Sequence, residues 1–251
     1  TGNPHLRTPA MDGLAARGIE RTSEFIKACN EATGGKKPAW VTPQAFNYGD
    51  AGRAGNRAPN FTELRNQMYQ AVVYGTKGFL WYTYGHARNY PDLDMGMDFL
   101  GHEAQDLKAA ILAPDAEDEV TVEADEPGHM HVAVRRAGDE LYVFAVNTAT
   151  EPQDATITLE GLPGALHVVS EDRQVPTAGG SIADSFDIYA THVYTTASDL
   201  ADRPTLESVQ QQIAEADAAH EKPGNLAFED RGVEVEISSG ARYSNTPARV
   251  V

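Results

Sequence analysis

The chain holds one cysteine, Cys29. A single thiol cannot form an internal disulfide, and no second one is present to build a cysteine-based metal site. Cys29 falls on the apolar stripe of a predicted helix and is read as a buried structural thiol. Lysine is scarce, at six of the 20 basic residues, while Asp and Glu number 37, for a formal net charge of -17. Such a surface repels phosphate backbones, which excludes nucleic acid as a partner. A soluble acidic surface, a high-salt habitat and a GC-rich genome all fit this composition. No apolar run approaches the ~18 residues of a bilayer span, so no membrane partner is expected. Thr1 to Arg7 lacks the basic start and apolar core of a signal peptide. A glycine-rich phosphate loop, a Gly-x-Ser-x-Gly elbow and a His-Glu-x-x-His motif are all missing. Nucleotide, serine-hydrolase and zinc-protease chemistry therefore find no support, and no cofactor is expected.

What is present reads as globular: 41% of residues are hydrophobic and 23% charged. Residues 10 to 30 have apolar side chains at helical spacing, from Met11 and Leu14 to Ile26 and Cys29. Gly34 and Gly35 end that helix. Pro38 to Phe46 reads as a buried strand. A loop rich in Gly, Arg and Asn runs from Asn47 to Pro59. Asn60 and Glu63 have the spacing of a capping box at the start of a second helix, with Leu64, Met68, Ala71 and Val72 on its buried face. Gly78 to Tyr84 reads as a second buried strand, and Gly85 to Gly96 as a loop. A third helix carries Met97, Leu100, Ala104, Leu107 and Ile111 and stops at Pro114. This alternation predicts parallel strands covered by helices, with Val41 and Leu80 on neighbouring strands. Two strands cannot close a barrel of about eight.

The texture changes at Pro114. Short strand-like runs follow at Glu119–Glu123, Met130–Arg136, Glu140–Asn147, Ala155–Leu159, Leu166–Ser170, Phe186–Tyr189 and His192–Thr196. They predict antiparallel sheets, with the doubly apolar Leu141–Val146 in a central place. Asp199 to Pro223 is helix-prone, with Leu206, Val209, Ile213 and Ala216 at helical spacing. The fold class is thus α/β plus all-β.

Residues 38 to 113 resemble a known family. Pro38-Ala-Trp-Val-Thr-Pro-Gln-Ala-Phe46 is similar to the seventh strand of TIM-barrel glycosidases of the β-galactosidase-like clan. Asn60-Phe-Thr-Glu-Leu-Arg65, Met68-Tyr69 and Gly75-Thr-Lys-Gly-Phe-Leu-Trp-Tyr-Thr-Tyr84 resemble their seventh helix and eighth strand, and Leu107-Lys-Ala-Ala-Ile-Leu112 their eighth helix. Ser185-Phe186 to Val193-Tyr194 resembles the close of the β-sandwich that follows such barrels. Gly224-Asn-Leu-Ala-Phe228, Ser238-Ser239 and Tyr243 to Val251 are similar to the opening of a discoidin-like carbohydrate-binding module. The resemblance implies a partial (β/α) barrel over 1–114, truncated, and a β-sandwich over 115–197. A helical linker over 198–223 and a truncated discoidin-like start over 224–251 complete it. It implies a secreted glycoside hydrolase with a carbohydrate substrate, and as the alternative a non-catalytic carbohydrate-binding protein.

Barrel enzymes build their sites at the carboxyl ends of the strands. Gln44, Phe46, Asn47 and Tyr48 end the first predicted strand, and Trp81, Thr83, Tyr84 and His86 the second. Aromatic rings suit the C–H faces of a sugar, and amides and hydroxyls its OH groups. Gln44, Phe46, Trp81, Tyr84 and His86 are the candidate substrate contacts. Trp81 and Thr83 share one strand face, Tyr82 and Tyr84 the other, and alternation leaves open which points inward. Glycoside hydrolysis ordinarily takes two carboxyl groups. In the resembling clan the acid follows strand four, which has no counterpart here, and the nucleophile is a Glu at the end of strand seven. That position holds Gln44, so Asp50 is the candidate catalytic carboxylate, with a plain loop charge as its alternative. Glu63 is read as a helix cap. Asp92, Asp94 and Asp98 are read as lining the mouth of the site or as solvated loop charges. His129 and His131 are read as surface histidines, and no metal site is expected.

Overall fold

The computed structural model describes Ile19 and residues 21–51, 57–117, 119–220, 235–236 and 249–250. Helix α1 (Arg21–Thr33) leads to strand β1 (Trp40–Val41), helix α2 (Phe61–Val73) and strand β2 (Gly78–Phe79). β1 and β2 are parallel, with Val41 opposite Phe79. The amide of Leu80 donates to Val41 O at 3.0 Å, as the pattern predicts. Among the described residues the pair does not close into a barrel. The short α3 (Tyr84–Ala87) and the long α4 (Pro91–Asp106) follow, then α5 (Lys108–Leu112). The stretch expected as a loop from Gly85 is therefore largely helical. Pro91 at the first position of α4 opens that helix earlier than the apolar stripe alone suggested.

Antiparallel strands β3 (Val120–Ala124), β4 (Met130–Ala137), β5 (Glu140–Asn147), β6 (Gln153–Leu159), β7 (Ala165–Val168), β8 (Arg173–Pro176), β9 (Ser181–Phe186) and β10 (Thr191–Thr195) form two sheets. Their orders are β4-β5-β10-β7-β8 and β3-β6-β9. Two expectations need correction. The run Phe186–Tyr189 is not a strand but the end of β9 and a turn, because β9 pairs with β6 over Ser181–Phe186. β8 was not foreseen, since Val175 is its one apolar strand former.

Helix α6 (Leu206–His220) folds back onto α4. Val209 and Ile213 are buried in the same core as Leu100 and Leu107. Two residue pairs beyond it, β11 (Val235–Glu236) and β12 (Arg249–Val250), are antiparallel to one another. The first turns of the helix expected over 10–30, and most of the discoidin-like segment, lie outside the described residues.

β5 explains how the layers hold together. Leu141, Val143 and Ala145 point into the core between the two sheets. Tyr142, Phe144 and Val146 point into the core shared with α2 and α4. Val143 and Phe144 are both fully buried, each burial contributing roughly 1.5–3 kcal/mol. The doubly apolar sequence of β5 is the signature of a strand covered on both faces.

α2 is buried along nearly its whole length, polar residues included. Arg65 donates to both carboxylate oxygens of Glu103 on α4, at 3.2 Å each, and to the carbonyl of Thr191 on β10. Asn66 donates to the carbonyls of Asn147 (2.7 Å) and Tyr189 (2.8 Å). Gln70 donates to Ile19 O at 3.0 Å. Asn60 and Glu63 form the expected capping box, and Arg57 adds a two-pronged ion pair to Glu63.

α1 buries only Thr22, Ser23 and Ile26, against Ala39, Val41 and Ala71. Its contact is a narrow line, so Phe25 is 49% exposed and Cys29 is also exposed. The reading of Cys29 as a buried thiol is thus overturned. The two parallel strands are likewise not buried on both faces: Trp40 is 64% and Leu80 65% exposed. The indole of Trp40 lies over Gly78, where a β-carbon would come within 2.6 Å of the ring.

Candidate functional site at the ends of the parallel strands

Pairing continues beyond β1 and β2 and brings their carboxyl ends together. Tyr82 N donates to Pro43 O (3.1 Å) and Ala45 N to Tyr82 O (2.6 Å). Gln44 and Tyr82 form an isolated parallel bridge. The Tyr82–Thr83 peptide is cis, and the chain enters α3 at Tyr84. The strand alternation that grouped Tyr82 with Tyr84 therefore stops at Thr83.

Gln44 is buried, and its amide donates to the carbonyl of Phe46 at 2.9 Å. The Phe46 ring meets Tyr48 edge-on, with centroids 4.5 Å apart, and Tyr82 at 5.7 Å. Tyr82 is 59% exposed, so its ring is edged by protein and open to solvent. Beside these rings runs a polar chain. Asn47 donates from Nδ2 to the Tyr90 hydroxyl (3.1 Å), which donates to Asp50 Oδ1 (2.7 Å). Burial, then the hydrogen bond to Asp50, pushes the Tyr90 hydroxyl up to about 12, so it stays a proton donor at ordinary pH.

Trp81 and Tyr84 line a different hollow. Together with Leu80, Asp94, Asp98 and His102 they border a groove of about 830 Å³ between β2, α4 and α6. Trp81 is half-buried against the helical core, and Tyr84 is exposed. His86 lies within α3. The structure thus brings Gln44, Phe46 and Asp50 to one strand end and sets Trp81 and Tyr84 along a groove that those three do not border. Asp94 and Asp98 border that groove too, whereas Asp92 accepts the Phe61 amide at 2.8 Å and so caps α2 from α4.

Tyr82 and Tyr90 were not singled out from sequence. Tyr82 had the same strand-end position as its neighbours and differed only in which way it faced. Tyr90 reaches Asp50 from 40 residues away, which no local pattern records. His131 also departs from expectation. Rather than a surface histidine, it is a half-buried link whose Nδ1 meets the Tyr74 hydroxyl at 2.7 Å and whose Nε2 meets Thr148 Oγ1 at 3.2 Å. Among the described residues no three His, Cys, Asp or Glu side chains stand together as a metal site.

No family model matches the chain, and no curated protein sequence matches it. Among solved structures it is similar to an α-amylase from Geobacillus thermoleovorans complexed with acarbose (TM-score 0.43, 17% identity, 62% of this chain and 38% of that one). It is also similar to a GH30 endoxylanase from Clostridium papyrosolvens C71 (0.43, 12%, 69% and 45%). An Anoxybacillus α-amylase matches at 0.38 and 15% over 53% of this chain and 32% of its own. The chain spans between about a third and a half of the length of these structures.

Proposed function

We propose that the chain is part of a glycoside hydrolase acting on an oligo- or polysaccharide, with the carboxyl ends of β1 and β2 holding the sugar. The supporting observations are the open Tyr82 ring, set edge-on to Phe46, and the Asn47–Tyr90–Asp50 chain that starts at the residue after Phe46. The ring offers a flat apolar face to the C–H side of a pyranose. At the end of the polar chain the second carboxylate oxygen of Asp50 offers an acceptor to the sugar's hydroxyls. In this reading β1 and β2 are the last strands of a (β/α)8 barrel, and β3 to β10 are the sandwich that follows it. The exposed side of Trp40 and Leu80 is the barrel's inner face. Residues 224–251 begin a carbohydrate-binding module, and the protein is secreted.

Asp50 is the proposed catalytic carboxylate of this chain. Tyr90 fixes one of its oxygens and leaves the other for a reacting atom or a water. Hydrolysis ordinarily takes a second carboxyl group, and the proposal places it on a strand outside this sequence. A second reading, binding without cleavage, has its own support. Gln44 stands where the resemblance places the nucleophile, yet it is a buried amide bonded to backbone.

The test is titration of the chain with malto-, xylo- and galacto-oligosaccharides, paired with turnover of aryl glycosides by the whole parent protein. Tyr82→Ala is expected to weaken binding about tenfold. Asp50→Asn is expected to abolish turnover and keep binding. Binding without turnover by the parent selects the second reading, and the absence of both removes the two together.

A further inference from the structure

Asp50 sits on the single turn Tyr48–Ala51, and its side chain is exposed. A carboxylate on so short a turn takes its direction from what holds it. Tyr90 holds it, from a far stiffer element. Tyr90 stands at the head of α4, with Pro91 next in the chain. Its amide donates to Ala87 O at 2.9 Å, and its carbonyl accepts the amides of Leu93 and Asp94 at 2.9 Å each. α4 is seated in the core by Leu93 and Leu100, both fully buried. The phenol thus reaches Asp50 from a fixed post.

That phenol has one proton and two neighbours. A tyrosine hydroxyl donates once and accepts through its lone pairs, while an amide nitrogen only donates. The Asn47 amide nitrogen donates to the Tyr90 oxygen at 3.1 Å. The single hydroxyl proton is then left for Asp50 Oδ1, 2.7 Å away. Burial, then the bond to Asp50, keeps that proton on Tyr90 up to about pH 12. The chain therefore runs one way, from Asn47 through Tyr90 to Asp50. Asp50 closes it as an acceptor, with Oδ1 engaged and Oδ2 left over.

A general acid has to offer a proton, whereas a base or nucleophile has to offer a lone pair. We infer that Asn47 is a positioning residue which, through Tyr90, commits Asp50 to the accepting part of hydrolysis, as base or nucleophile. Asn47 has this task only if Asp50 is the catalytic carboxylate, so the assignment rests on that reading. As base, Oδ2 takes a proton from the water whose oxygen bonds the anomeric carbon. As nucleophile, Oδ2 bonds that carbon itself. In both cases the glycosidic oxygen leaves with the electron pair of the broken C–O bond. Its proton comes from the second carboxyl group.

Turnover of aryl glycosides by the whole parent protein tests both parts. A dinitrophenyl group leaves without a proton, whereas a methoxyphenyl group needs one. Asp50→Asn is expected to lower kcat/KM on the two substrates alike, by about a hundredfold or more. Preserved turnover of the dinitrophenyl glycoside alone makes Asp50 the acid and overturns the inference. Tyr90→Phe is expected to lower kcat about tenfold and Asn47→Leu about three- to tenfold, with KM within about twofold. In the Tyr90→Phe background Asn47→Leu is expected to cost less than about twofold, because the hydroxyl it acts through is gone. Equal losses in both backgrounds make Asn47 a structural residue, and an unchanged kcat in Asn47→Leu makes it idle. Either overturns the inference while the catalytic reading of Asp50 stands. Full turnover by Asp50→Asn, or none by the parent, removes that reading and the inference with it. Oligosaccharide titration of Asn47→Leu separates chemistry from folding. Affinity within about twofold of the unaltered chain is expected, and its loss assigns Asn47 to structure and overturns the inference.

Discussion

The guanidinium of Arg135, fully buried on β4, donates to the carbonyl of Ile111 at the end of α5, 2.9 Å away. The same group reaches Val72 O at the end of α2 and Asp115 Oδ1 at 3.1 Å, and its carbon lies 5.5 Å from the centre of the Phe144 ring. One cation therefore meets the negative ends of two helices at once. It also ties the helical layer to the five-stranded sheet.

Arg135→Met keeps much of the side-chain volume and strands two buried carbonyls. Stability is expected to fall by about 2–4 kcal/mol, read from urea unfolding. A loss below about 1 kcal/mol would mean that water replaces the guanidinium and that the layers do not rely on it.

The second prediction concerns acid. Burial, with the charges of Lys27 and His129, pushes His131 down to about 4. A histidine whose folded value lies below its unfolded one resists protonation in the native state, so the unfolded chain binds more protons between about pH 6.5 and 4. Its contribution is complete above pH 6.5 and is lost as pH falls through that window, by up to about 3 kcal/mol. His131→Gln is expected to flatten the pH dependence of unfolding in that range, and an unchanged slope would contradict it. Further down, Glu171 and Asp184 add to acid loss. Burial pushes each up, but hydrogen bonds from His192 and Arg173 respectively, with neighbouring positive charges, outweigh it and hold both below the ordinary carboxylate range. Their stabilisation is present above the ordinary range and disappears as they take up protons.

The third concerns Cys29. An exposed thiol on α1 is expected to react with a disulfide reagent in the native protein, one equivalent per chain, without waiting for unfolding. Protection until denaturant is added would show that α1 is covered.

What was legible in the sequence was local or strictly periodic. The capping box at Asn60 and Glu63 needs only four consecutive residues, and it formed as read. The unbroken apolar run of β5 announced a strand covered on both sides. The alternation of helix and strand was enough to predict that β1 and β2 run parallel. Periodicity does not say which face of a strand meets another layer or how narrow a helix's contact line is, so Trp40 and Leu80 on the strands and Cys29 on α1 are exposed against expectation. Nor could it see contacts made over long separations. Arg65 looks like a surface residue until Thr191, 126 positions later, brings it a carbonyl. The Tyr90–Asp50 contact was hidden for the same reason, and β8 escaped because Arg, Gln and Pro carry no strand signal.

β5 lends alternate side chains to two interiors, and this bears on where the protein can be cut. A boundary at residue 114 separates the helices from the strands on paper. Trimming there would leave Tyr142, Phe144 and Val146 as a bare oily panel in water and would take away the roof over α2. The two halves are better regarded as one melting unit with a party wall than as beads on a string.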